Sequence, residues 1–73
     1  MAAIDLPPRY ELEKQLEWAL QEIDHKRPLD SLETVIVKTF LSSQGIEVED
    51  QFAPQQNTIV GWLEWVDQYY RAR

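Results

Sequence analysis

One short stretch of the chain both stops a helix and starts another, and this constrains the fold more than any other feature. It reads Asp24-His25-Lys26-Arg27-Pro28-Leu29-Asp30-Ser31-Leu32-Glu33. Pro28 disfavours the α region at Arg27, so a helix arriving from upstream must end before it. Asp30 followed three residues later by Glu33 is a capping-box pair, with the Asp oxygen accepting from the Glu33 amide. Gly45 supplies the next stop, since it takes the left-handed conformation that closes helices. These break points divide the chain into helical windows. The expected fold is all-α: a small antiparallel bundle of three main helices plus one short helix.

The first window runs from residue 9 to about residue 24. Leu12, Leu16, Ala19, Leu20 and Ile23 recur at helical spacing, and Glu11, Glu13, Lys14, Gln15, Glu17 and Gln21 take the opposite face. Lys26 and Arg27 then suit the negative end of that helix. The second window opens at Asp30. Leu32, Val35, Ile36, Thr39 and Phe40 share one face, and Val37 and Leu41 widen it. Val35-Ile36-Val37 alone would suit a strand, but the cap before it and the glycine after it decide for helix. Val35, Ile36 and Phe40 are expected in the core, with room for a share of Val35 or Ile36 in a partner-facing patch.

Residues 46–57 read as loop with one short helical turn, over 50–53 or 54–57, and Ile46, Val48 and Phe52 as its anchors. The last window is capped by Asn57 or Thr58 and reaches about residue 71. Ile59, Leu63, Val66 and Tyr70 form one stripe, and Trp62, Trp65 and Tyr69 a neighbouring one. A core role is expected for Trp62 or Trp65, with room for the other to be exposed. Residues 1–8 read as a short arm ended by Pro7-Pro8.

At 73 residues there is room for a single domain spanning 1–73. Hydrophobic content of 44% with 27% charged residues places it among globular chains and not disordered ones. The absence of cysteine excludes disulfides, thiolate metal sites and thiol nucleophiles, and points to the cytoplasm. A net charge of −6 argues against nucleic acid and anionic membrane surfaces and favours a basic face on a protein partner. The N-terminal residues have neither the basic region nor the apolar run of a signal peptide, and no stretch approaches a membrane span.

Three segments in order carry a resemblance: Asp30-Ser31-Leu32 at the start of the second helix, Gly45-Ile46-Glu47-Val48-Glu49-Asp50 at its end, and Asn57-Thr58-Ile59-Val60-Gly61 opening the last helix. Together they resemble the acyl carrier protein family, from Tyr10 onward and most closely from Leu29 to the end. Two features depart from that family. Only residues 25–30 separate the expected first helix from Ser31, with Pro28-Leu29 where a glycine commonly stands. Residues 31–44 hold one acid, Glu33, and one base, Lys38. That balance looks more like the discrete acyl or peptidyl carriers of polyketide, nonribosomal peptide or D-alanine pathways than like acidic fatty-acid carriers.

The resemblance implies a non-catalytic, monomeric carrier whose cofactor is 4′-phosphopantetheine, attached to Ser31. Asp30 would be helix cap and motif residue, and Leu32 the motif's apolar neighbour. Leu32, Glu33, Val35, Ile46 and Glu47 would face partners. Those partners would be a phosphopantetheinyl transferase, an adenylating or acyl-loading enzyme, and condensing or tailoring enzymes. The residues themselves allow a second reading, a small helical interaction or docking module that never receives the arm. A hydrolase using Ser31 is disfavoured, because no His–acid pair is placed to activate it. His25, without a second His or any Cys nearby, reads as a solvated loop residue. Glu47, Glu49 and Asp50 lack the spacing of a calcium loop. No metal site is expected.

Overall fold

The computed structural model describes residues 6–71, apart from the side chains of Asp50 and Arg71. Residues 1–5 of the expected arm lie outside the described residues. The described residues form three α-helices, α1 (Arg9–Leu20), α2 (Ser31–Ser43) and α3 (Ile59–Val66), and no strand. A 3-10 turn spans Asp50–Phe52, and α3 runs on through a π-helical turn at Asp67–Arg71. Among the described residues no helix is long and apolar enough to cross a membrane.

α1 is shorter than its apolar periodicity suggests. It stops at Leu20 because Gln21 turns left-handed at φ 52°. The Glu22 amide then bonds back to the Glu17 carbonyl, and the Gln21 amide to Trp18, the paired pattern of a Schellman closure. Ile23 therefore leaves the apolar stripe and stands 84% exposed. The connection to α2 covers residues 21–30, longer than the sequence spacing implied. Arg27 does not lie along the end of α1. Its guanidinium bridges the carboxylates of Glu22 and Glu33.

α2 begins and ends as its capping residues dictate. Asp30 accepts from the Glu33 amide at 2.8 Å, and the Glu33 carboxylate accepts from the Asp30 amide at 3.1 Å. At the other end Gly45 has φ 90°. The Ile46 amide reaches the Leu41 carbonyl at 2.9 Å and the Gly45 amide reaches Ser42 at 3.0 Å, again a Schellman closure. The apolar contact that accompanies such a closure is made by Leu41 and Ile46, both fully buried.

The core gathers Leu12, Leu16 and Leu20 of α1, Val37 and Leu41 of α2, and Ile59, Trp62, Leu63, Trp65 and Val66 of α3. Leu29 and Ile46 enter from the loops. α1 packs against both α2 and α3 and is the hub of the fold. The buried face of α2 is rotated from the one expected: Val37 and Leu41 are central, Ile36 and Phe40 flank them, and Val35 is 57% exposed. Trp62 and Trp65 are both buried, edge-on to each other with centroids 5.5 Å apart. The tryptophan that a core this small leaves outside is Trp18, 82% exposed on α1.

Candidate functional site

The N-terminal end of α2 is assembled by residues from three segments. Pro28 stays exposed while Leu29 is buried and anchors the chain just before the helix. Asn57, preceding α3, holds Leu29 on both sides of its peptide unit. The Asn57 carbonyl accepts from the Leu29 amide at 2.8 Å, and its Nδ2 donates to the Leu29 carbonyl at 3.2 Å. The same Nδ2 donates to Thr34 Oγ1 at 2.6 Å, and the Thr34 hydroxyl donates to the Asp30 carbonyl at 2.8 Å. Trp62 Nε1 completes the chain by donating to Asn57 Oδ1 at 2.8 Å. A partly buried polar network whose members are each paired rigidifies what it touches. Here it fixes the loop, the first turn of α2 and the start of α3 to one another.

On that base Ser31 is the first residue of α2 and is exposed. Leu32 beside it is 71% exposed, and Val35 one turn on is also open to solvent. Glu33 is half-buried and doubly engaged, by the capping box and by Arg27. Glu47 is exposed. Ile46 is the exception among the expected partner-facing residues. It is fully buried, because the helix closure at Gly45 turns its side chain into the core.

The electrostatics of this end are local. The Glu22 carboxyl sits below its ordinary range, chiefly because the Asp24 amide donates to it, and then because Arg27 pairs with it. The Arg27 guanidinium is correspondingly held charged by Glu33 and Glu22. Glu22 also accepts from the Ile23 amide at 3.1 Å, so one carboxylate organises the turn after α1 and its ion pair with Arg27.

His25 is not a solvated loop residue. Its Nε2 meets the Glu17 carboxylate in a short contact, and its Nδ1 lies 3.5 Å from Glu13 Oε1. Its backbone carbonyl accepts from the Val60 amide at 3.1 Å, which fastens the loop to α3. The spacing of Glu13 and Glu17 on one face of α1 was visible in the sequence. The return of the loop across that face was not. The ring is engaged by these carboxylates and not by Ser31, so it offers Ser31 no base.

Compared with known proteins, the chain matches no family model, no curated sequence and no solved structure.

Proposed function

We propose that the protein is a non-catalytic carrier, holding an acyl, aminoacyl or peptidyl group as a thioester on a phosphopantetheine arm at Ser31. The observation that carries this reading is an exposed Ser31 at the first turn of a helix with an intact capping box. A transferase supplies the base and Mg²⁺, so the carrier needs only a presented hydroxyl. The Ser31 hydroxyl would give its proton to the transferase's base as its Oγ–phosphorus bond forms and the pyrophosphate bond of coenzyme A breaks, which would release adenosine 3′,5′-bisphosphate and leave on Ser31 a phosphodiester ending in a thiol. First-turn amides and the positive end of the helix favour such a phosphate by about 0.3–1 kcal/mol. Arg27 offsets the Glu33 charge nearby. Exposed Leu32 and Val35 offer the transferase, loading and condensing enzymes an apolar contact beside the arm. In this reading the carrier acts as a cytoplasmic monomer with an acyl-carrier-like antiparallel bundle.

The test is intact mass after incubation with coenzyme A, Mg²⁺ and a broad-specificity phosphopantetheinyl transferase. A gain of one phosphopantetheine, absent in Ser31→Ala, is the expected result. No gain with a transferase active on control carriers overturns it.

A second reading, an interaction module that receives no arm, is favoured by Trp18 and Ile23, more than four-fifths exposed on α1 and the loop after it. These offer an apolar surface that needs no arm. Under that reading Ser31→Ala leaves partner binding intact.

A further inference from the structure

We infer that Glu13, Glu17 and His25 form a binding site for a divalent transition cation of the zinc type. Glu13 and Glu17 stand one helical turn apart on α1 and face the same way. His25 comes back over them from the 21–30 loop. One ring nitrogen and one oxygen from each carboxylate lie within 4.8 Å of one another. A tetrahedral zinc ion with N and O ligands at about 2.0–2.2 Å holds its donors roughly 3.3 Å apart. The two carboxylates face different ring nitrogens of His25, Glu17 at Nε2 and Glu13 at Nδ1, so an ion on one nitrogen gathers the three donors by side-chain rotation of the other glutamate.

The donor set selects the class of ion. One imidazole with two carboxylates suits borderline cations such as Zn²⁺, Co²⁺ or Ni²⁺. Ca²⁺ would demand six or more oxygens, and Mg²⁺ a near-octahedral oxygen shell. Three protein ligands leave a fourth position for water. The side chains are 24% exposed at His25, 36% at Glu13 and 28% at Glu17, so an ion can reach them while they remain held. The net charge of −6 draws cations toward the surface.

The site is also organised in advance. Both glutamates are on a regular helix. The His25 loop is fixed at one end by the closure at Gln21, in the middle by the His25 carbonyl on Val60, and beyond it by Arg27 between Glu22 and Glu33. Metal binding would replace the imidazole–carboxylate contacts with coordinate bonds and staple this loop to α1.

The experiment titrates the full chain with Zn²⁺ alone, followed by calorimetry and by the ring nitrogen resonances of His25. This is the single histidine of the chain, so its signals are assigned without ambiguity. One equivalent is expected to bind with micromolar affinity and to shift one ring nitrogen strongly. His25→Ala and Glu17→Gln are expected to weaken binding at least tenfold. Glu13→Gln keeps the closer Glu17–His25 pair and so tests a ligand in a variant that retains the loop contact. No saturable binding below the millimolar range overturns the site. So does binding that leaves the His25 ring unshifted or that persists undiminished in His25→Ala.

Discussion

Trp62 Nε1 donates to Asn57 Oδ1 at 2.8 Å, and through that one side chain α3 is tied to the turn that presents Ser31. Trp62 is almost wholly buried, so its N–H depends on this acceptor. An orphaned buried donor costs about 1–3 kcal/mol. Asn57→Ala also removes the amide's bonds to Leu29 and Thr34. The expected loss is roughly 2–3 kcal/mol, read as a lower urea midpoint at unchanged slope. An unaltered midpoint would show that the network does not hold the helices together.

Gln21 adopts a conformation that favours glycine, at φ 52°. Gln21→Gly keeps both backbone bonds of the α1 closure and removes the side-chain strain. A gain of about 0.5–1 kcal/mol is expected in a thermal or urea melt. A loss would mean that the Gln21 side chain makes a stabilising contact larger than the strain.

Gly61 is in the first turn of α3, and a Cβ there would fall 2.1 Å from the Gln56 carbonyl oxygen. That oxygen is backbone and cannot swing aside. Gly61→Ala, which would stabilise an unobstructed helix by roughly 1 kcal/mol, is expected here to destabilise by about 1–3 kcal/mol. The sign of the change in melting temperature decides the matter.

Asp30 and Ser31 are expected to differ sharply in what they contribute to stability. Asp30→Ala removes the side-chain cap of α2 and is expected to cost about 1 kcal/mol. Ser31→Ala alters an exposed first-turn residue and is expected to stay within about 0.5 kcal/mol of the wild type. Paired denaturation curves check both. A large loss for Ser31→Ala would give that hydroxyl a structural role.

Glu22 supplies a pH dependence. Its carboxyl titrates below the ordinary value of 4.5 in the folded chain, because of the Asp24 amide and Arg27. A lowered folded value means the unfolded chain takes up the proton first. The stabilisation is complete above pH 4.5 and is lost as the pH falls through the folded value. Glu22→Gln should therefore be less stable than the wild type at neutral pH, with the gap narrowing in acid. Urea midpoints of both proteins across that range provide the check, and a constant gap would contradict it.

Much of the fold could be read from local chemistry. The cap at Asp30 and Glu33, the closure at Gly45 and the cap at Thr58 each act over a few residues, and each stands where its sequence neighbourhood puts it. Leu12, Leu16 and Leu20 line the core at the helical repeat that announces them. The end of α1 was hidden because a glutamine carries the left-handed turn, a conformation that its residue type does not advertise.

What lay beyond the sequence was decided by which surfaces meet. α2 is apolar around most of its circumference, so its pattern could not say that Val37 and Leu41 turn inward while Leu32 and Val35 turn out. Packing against α1 made that choice. The meeting of His25 with Glu13 and Glu17 needs the loop after α1 to fold back over that helix, and the meeting of Asn57 with Leu29 and Thr34 joins residues 28 and 23 positions apart in the chain. Residue types and spacing fix the helices and their ends, since caps and periodicity are local. Tertiary packing alone fixes which faces stay exposed beside Ser31 and which polar groups find partners, since those depend on how loops return across helices.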